Sequence, residues 1–183
     1  MPRKLIRKYL PTQDAVRANR YLRWLGTALH HPNLWLLHRR TVAGGVAAGM
    51  FCGLIPGPFQ MLSAAACAVA FRVNLPVAMI VTLYTNPLTI VPLYYLAYKL
   101  GALATGAAGR APPADPAIFA LPVSQWIPAI IDWMVAMGRP FVVGLVLLAA
   151  LLAIAGYVLV MVGWRIHVAL AWRRRQHVRA GAR

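Results

Sequence analysis

The residues of this chain that could do chemistry are few, and their types exclude most catalytic sites. Acidic side chains number three, none of them glutamate, and they lie far apart at Asp14, Asp115 and Asp132. Calcium cages, paired-carboxylate hydrolases and di-iron bundles all need clustered carboxylates. No histidine lies between His38 and His167, so a nucleophile in that stretch has no histidine base close in sequence. We therefore expect no enzymatic activity and no cofactor.

Histidine and cysteine do not form a metal-binding pattern either. His30, His31 and His38 lie near one another, but no cysteine or carboxylate is close enough in sequence to complete a site. Cys52 and Cys67 stand in apolar surroundings without C-x-x-C spacing. We expect both to be small buried hydrophobic residues. The sequence therefore predicts no metal site.

A binding site is indicated instead by two turns that interrupt apolar segments. Pro56, Gly57 and Pro58 break the first segment, and Asn86 with Pro87 breaks the second. Irregular backbone at membrane depth is tolerated only where protein or water surrounds it, and paired broken helices are typical of transport sites. Two kinked helices that merely pack against each other are the alternative interpretation. The candidate binding groups are the polar side chains near these turns and the cation between them: Arg72, Gln60, Thr85, Asn86 and Thr89.

Arg72 has two interpretations. As a ligand-binding residue, its forked guanidinium would match the oxygens of a lipid phosphate. As a topological charge, it would simply keep its loop on the cytoplasmic side of a membrane.

Composition and charge identify the class of protein. Hydrophobic residues make up 61% of the chain and charged residues 12%, about half the charged share of a soluble domain, which indicates a membrane protein. The net charge is +16. Nine of the 19 basic residues precede Thr41 and six lie from Arg165 onward, as the positive-inside rule predicts for two cytoplasmic ends. This distribution favours membrane topology over nucleic-acid binding.

The hydropathy pattern divides the chain into segments. The uncharged run 41–71 would be about 46 Å long as one helix, too long for a roughly 30 Å hydrocarbon core, so its break predicts two half-length helices. The predicted order is a basic amphipathic collar (1–40), a re-entrant or broken helix (41–71), a broken transmembrane helix (75–101), a loop (102–122), an interfacial helix (123–138), a transmembrane helix (140–164) and a basic cytoplasmic tail (165–183). The fold class is all-α.

The interfacial helix has a predicted orientation. One face carries its long apolar side chains and two tryptophans serve as membrane-interface anchors: Ile127, Ile130, Ile131 and Met134 on the face, Trp126 and Trp133 as anchors. Cytoplasmic ends require an even number of crossings, which 75–101 and 140–164 supply if 41–71 is re-entrant. A crossing by 123–138 remains an alternative, although Asp132 would then cost about 3 kcal/mol.

Several of these motifs resemble a known family. They are Gly49-x-x-x-Gly53-x-x-Pro56-x-Pro58-Phe59-Gln60, Arg72-x-Asn74-x-Pro76-x-Ala78, Thr85-Asn86-Pro87-x-Thr89, Pro92-x-Tyr94 and Tyr98-x-x-Gly101. Over most of the chain they are similar to the bacterial membrane family catalogued as domain of unknown function 2062. The resemblance implies a multi-pass inner-membrane protein and supplies no catalytic residues. Relatives that join such a module to glycosyltransferases acting on polyprenyl-phosphate lipids associate it with envelope lipids.

Two functions follow as expectations. The first is binding or translocation of an anionic envelope lipid or small solute between the broken helices. The second is a non-catalytic scaffold that recruits a cytoplasmic or lipid-modifying partner. The expected partners are anionic membrane lipids, a second copy of the chain or an envelope-biosynthesis protein, and no nucleic acid.

Overall fold

The computed structural model describes residues 31–57, 59–107, 112–114 and 120–180, and for 173–180 the backbone alone. Within these ranges every regular element is a helix, which confirms the all-α class. The parts outside the described residues are 1–30 of the predicted collar, Pro58, residues 108–111 and 115–119 of the loop, and the last three residues.

The first apolar segment folds as two half-length helices, as its break predicts. Helix α1 spans Arg39–Cys52 and helix α2 spans Phe59–Ala70, about 21 and 18 Å long. The turn between them contains Gly57 at φ +72°, a backbone conformation that only glycine adopts without strain. The predicted bounds 41–71 are therefore close to those observed.

The second segment is also broken at the predicted place. Helix α3 spans Leu75–Val81 and continues as a 3₁₀ turn over Thr82–Tyr84, and helix α4 spans Pro87–Ala104. The two axes are bent by 84° at the break. Asn74 begins α3 by accepting a hydrogen bond from the Val77 backbone N–H at 3.0 Å.

Helices α1 and α3 run in the same direction and pack closely because α1 carries glycines at every fourth position. A Cβ added at Gly45 would lie 2.6 Å from the Asn74 carbonyl oxygen, and one at Gly49 would lie 2.5 Å from the Ala78 carbonyl oxygen. Only glycine permits this backbone approach, as in the small-residue interfaces of membrane helices. The second contact lies four residues after the first on both helices, so α1 and α3 are parallel.

The last helix, α5, spans Trp126–Ala180 after a 3₁₀ turn over Val123–Gln125. Gly138 interrupts it at φ +62° and ψ −151°, one residue before the predicted corner at Arg139 and Pro140. We call residues 126–137 the short arm and 139–180 the long arm. The predicted boundary between the transmembrane helix and the tail is not a structural break, because the long arm continues through it to Ala180.

The long arm of α5 contacts different helices at different points along its length. Near its start, the backbones of Gly144 and Gly101 of α4 approach so closely that a Cβ on Gly144 would lie 2.6 Å from the Gly101 nitrogen. Farther along, Gly156 faces Val46 and Met50 of α1. The long arm therefore packs first against α4 and then against α1.

The short arm turns a different face inward from the one predicted. Ile130, Trp133 and Met137 are buried, whereas Ile127 and Ile131 are exposed. Trp133 stacks on Tyr94 of α4, with 6.4 Å between ring centroids, and donates a hydrogen bond to the Pro113 carbonyl oxygen. The prediction of Trp133 as a membrane-interface anchor was therefore wrong, because Trp133 packs inside the protein against Tyr94. That partner lies 39 residues earlier, and the helical periodicity of the short arm does not reveal it.

One helix in the described residues is long and apolar enough to cross a membrane: the stretch Val123–Trp172, which includes most of α5. Leu75–Tyr84 and Pro87–Ala104 would form a second span if the bent pair is counted as one.

Candidate functional site at the helix breaks

The two helix breaks meet at the carboxyl end of α1. The Thr85 hydroxyl oxygen, in the second break, lies 2.5 Å from the Gly53 carbonyl oxygen and 2.7 Å from Oε1 of the Gln60 side chain, in the first. Threonine has a single hydroxyl hydrogen, so both contacts are satisfied when it donates to Gly53 and the Gln60 amide is turned to donate its N–H to the threonine oxygen. Gln60 and Thr85, two of the five candidate binding residues, are thus in contact in the structure.

Two tyrosines complete this junction. Tyr84 donates its hydroxyl hydrogen to the Met50 carbonyl oxygen at 2.8 Å, and Tyr94 donates to the Leu54 carbonyl oxygen at 2.8 Å. The last carbonyls of any helix lack partners within that helix and need partners from elsewhere. Hydroxyl groups from the second broken segment therefore terminate α1. We call Thr85, Tyr84, Tyr94 and Gln60, with the carbonyls they contact, the break junction.

Sequence reasoning missed the two tyrosines. Tyr94 is fully buried, and Phe141 packs edge-on against its ring with 5.1 Å between the ring centroids. Both tyrosines lie within eight residues of Asn86, and a hydroxyl-bearing side chain near a break in an apolar helix was the available signal.

Asn86 and Thr89 have a different, local role. The Asn86 side-chain oxygen accepts hydrogen bonds from the backbone N–H groups of Leu88 and Thr89, at 2.9 and 3.1 Å. The Thr89 hydroxyl oxygen in turn accepts from the Asn86 backbone N–H and donates to the Tyr84 carbonyl oxygen. This reciprocal capping box begins α4. Asn86 itself is exposed rather than buried in the junction.

Arg72 lies at the other end of the bundle. It occupies the turn between α2 and α3 in the left-handed conformation, at φ +52°, and its side chain is exposed. Since α2 is about 18 Å long and begins at the break, Arg72 is roughly that far from Gln60. The five candidate binding residues thus do not form one site. Gln60 and Thr85 meet, Asn86 and Thr89 cap α4 beside them, and Arg72 stands apart.

The surroundings of Arg72 are basic. Two residues later, Asn74 donates its backbone N–H to the Thr41 carbonyl oxygen and its side-chain amide to the Leu36 carbonyl oxygen. These bonds bring the α2–α3 turn to the beginning of α1, where Arg39 and Arg40 lie.

Arg165 lies toward the same end. Gly156 packs on Val46, whereas Phe141, near the start of the long arm, packs on Tyr94, which bonds to Leu54 beyond the end of α1. The long arm therefore runs opposite to α1, and nine residues beyond Gly156 it reaches the level of the first turn of α1. We call Arg39, Arg40, Arg72 and Arg165 the basic end.

The family of the chain is shown by a family model described as an uncharacterized protein conserved in bacteria, domain of unknown function 2062. The match covers residues 22–173, most of the sequence. The chain belongs to this family. The resemblance carried by the Pro56–Gln60 and Asn86–Thr89 motifs is thereby confirmed.

Members of this family have no described activity to transfer to the chain, and no curated protein and no solved structure matches it. Chemical capability must therefore be judged from the residues alone. Among the described residues, no group of three or more His, Cys, Asp or Glu side chains is placed to hold a metal ion. His31 and His38 instead accept backbone hydrogen bonds that begin helical turns, at 3.2 and 3.4 Å.

Proposed function

We propose that the chain is a multi-pass protein of the bacterial inner membrane. In this arrangement α5 crosses the bilayer, the bent pair of α3 and α4 makes the other crossing, and α1 with α2 forms a re-entrant hairpin. Large apolar side chains on the long arm support it: Val142, Val146, Leu151, Ile154 and Leu159 are all more than half exposed. A water-soluble protein rarely leaves so much apolar surface uncovered. The basic amino-terminal and carboxyl-terminal segments of the chain then both lie in the cytoplasm.

Within the membrane, the protein acts as a non-catalytic scaffold. The observation that carries this proposal is the break junction, where the hydroxyls of Thr85, Tyr84 and Tyr94 are used on carbonyls of the chain itself. A substrate would have to replace these bonds, each of which shields a backbone group that is costly to leave unpaired in an apolar surrounding. The junction therefore serves to hold the half-length helices in place.

The scaffold presents its working surface at the basic end. Arg39, Arg40 and Arg72 lie where the helices meet the cytoplasmic headgroups, and each basic residue near an anionic bilayer contributes about 1 kcal/mol of attraction. Anionic lipids therefore gather at this end, where they and the arginines form a platform for a cytoplasmic or lipid-modifying partner.

Retention of anionic lipid tests this proposal. The protein would be reconstituted in nanodiscs with mixed phosphatidylethanolamine and phosphatidylglycerol, partly delipidated, and its retained lipids measured by mass spectrometry. We expect the double variant R40Q/R72Q to retain several-fold less phosphatidylglycerol. Its matched control is K99Q/R139Q, which removes equal charge from the opposite end, since Gly101 of α4 contacts Pro140 there. Equal retention by both variants would refute the assignment of lipid binding to the basic end.

A second candidate function is binding or translocation of an anionic lipid or small solute at the breaks. It is favoured by the exposed Asn86 and the partly exposed Gln60 beside the junction. The variants N86L and N86S separate the two functions. A serine still caps α4, whereas a leucine removes the cap and costs about 1 kcal/mol of stability. If the protein is a scaffold, N86S should therefore be as stable as the natural protein and should support cell growth, and N86L should be impaired in both. For a binding site, N86S would fold normally yet fail to restore growth to a strain that requires the protein.

A further inference from the structure

Cys52 and Cys67 lie side by side between the two legs of the proposed re-entrant hairpin. Cys52 is the last residue of α1, and Cys67 lies on α2. Their sulfur atoms are 3.5 Å apart, and both cysteines are unpaired thiols. A disulfide holds its sulfur atoms about 2.05 Å apart, so this pair needs little movement to form one.

The two thiols differ in accessibility. Cys52 is 2% exposed and sits in the cluster formed by small residues of α1, α2 and α3, among them Ala64 and Ala68. Cys67 is partly exposed, and Phe59 and Phe71 near the two ends of the same helix are strongly exposed. In the proposed arrangement, Cys67 is thus reachable from the lipid while Cys52 is reachable only through Cys67.

We propose that Cys52 and Cys67 form a reversible redox modification site, oxidised to a disulfide by an apolar hydroperoxide such as a peroxidised lipid. The bond would join α1 to α2 and fix the turn between them. This inference rests on the proposed membrane location, which supplies both the oxidant and distance from the soluble thiols that reduce disulfides in the cytoplasm.

The chemistry balances with the hydroperoxide as the only added reactant. The Cys67 sulfur attacks the terminal peroxide oxygen, which keeps its hydrogen, the O–O bond breaks, and the alkoxide leaves as an alcohol with the proton of the Cys67 thiol. Cys67 is then a sulfenic acid. The Cys52 sulfur displaces its hydroxyl group, forming the S–S bond, and the Cys52 proton leaves with that hydroxyl as water. Two thiols are oxidised and one peroxide is reduced.

The test uses the full chain in isolated membranes treated with cumene hydroperoxide. Free thiols are blocked with a small maleimide, disulfides are reduced, and the released thiols are counted by a gel shift with a polymer-linked maleimide. The matched control is C67A/A66C, which keeps two cysteines at similar depth but turns the second by about 100° around α2. We expect the natural pair to become oxidised at least tenfold faster than the control pair.

Thermal melting in detergent provides the second measurement. Closing a loop of this length should raise the melting temperature of the oxidised protein by roughly 6 to 12 °C, and a membrane-permeant phosphine should reverse the rise. Equal oxidation rates for both pairs, persistence of two free thiols, or disulfides only between chains would each overturn the proposal. The two proposals fail in different ways: equal phosphatidylglycerol retention by R40Q/R72Q and K99Q/R139Q would refute the scaffold, whereas persistence of two free thiols with reduced retention in R40Q/R72Q would refute only the redox site.

Discussion

At the scale of single residues, side-chain hydroxyl groups satisfy the backbone carbonyls at the end of α1. Three helix-terminal carbonyls of α1 and its turn, at Met50, Gly53 and Leu54, each accept a hydrogen bond from a hydroxyl group elsewhere in the chain. Charged side chains would be more costly to bury than hydroxyls. Threonine and tyrosine therefore supply a donor for each carbonyl while keeping the junction apolar overall.

Replacing Thr85 with valine tests this role. Valine has nearly the same shape, so the change removes the hydroxyl and leaves the Gly53 carbonyl and the Gln60 amide without their partner. We expect a loss of about 1 to 3 kcal/mol in the free energy of unfolding, measured in detergent.

The matched control for this change is T105V. The Thr105 hydroxyl donates only to the Gly101 carbonyl oxygen of its own helix end and its side chain is exposed, so the loss should stay below about 0.5 kcal/mol. Equal destabilisation by the two changes would show that the junction has no special importance.

At the scale of helices, close backbone contact replaces large side chains. The α1–α3 contact depends on Gly45 and Gly49, and the α4–α5 contact depends on Gly101 and Gly144. Such surfaces gain dispersion energy from intimate packing, which matters where lipid removes the hydrophobic drive between helices. The distance between the helices in each pair is thus set by glycines, which have no side chain to hold the backbones apart.

Substitution of Gly144 by alanine should be disruptive. The added methyl would overlap the Ala97 carbonyl oxygen, and α4 and the long arm would have to separate. We expect a loss of about 3 kcal/mol, seen as a lower melting temperature and reduced folded yield.

The variant G163A is the control on the same helix. A Cβ at Gly163 meets nothing within 4 Å, so this change should be neutral or stabilise the helix by up to about 1 kcal/mol. A stable G144A protein would contradict the close packing described for α4 and α5.

The sequence predicts the elements better than the contacts between them. The positions of the two breaks follow from local chemistry, since proline and glycine act on their own backbone, and the predicted helix ends agree with α1, α2 and α4. Partners distant in sequence could not be predicted. The contacts of Thr85 with Gly53 and of Trp133 with Tyr94 depend on the three-dimensional path of the chain, including the 84° bend at Asn86. The hydropathy pattern does not predict the angle of that bend.

The same limitation separated Arg72 from the predicted site. Its position between two broken segments in sequence suggested proximity to both breaks. Yet α2 and α3 each run between the break junction and the basic end, so a residue in the turn that links them must lie at the far end. Counting helical rise from each break would have been sufficient to place it.

At the scale of the whole molecule, the direction of each helix predicts a topology. The basic end should face the cytoplasm and the start of the short arm should face outward. In a background with Cys52 and Cys67 replaced by serine, R72C should react with a membrane-impermeant maleimide only from the cytoplasmic side, and S124C only from the outside.

The control for labelling is L151C, at an exposed position in the long arm that the proposed arrangement places within the bilayer, which should react from neither side. Labelling of S124C solely from the cytoplasm would reverse the placement of the short arm and exclude the proposed pair of crossings.

The contact between Gly156 and Val46 has a consequence for synthesis. The two residues are far apart in sequence, and at ribosomal rates of 5–20 residues per second about 10 s pass between their emergence. In the proposed membrane arrangement, α1 and α2 are each too short to span the bilayer during that interval, and α1 lacks one of the helices against which it packs. The amino-terminal half must therefore wait, incompletely assembled, until the last helix is made. A chain truncated before α5 should be a substrate for membrane quality-control proteases rather than a stable fragment.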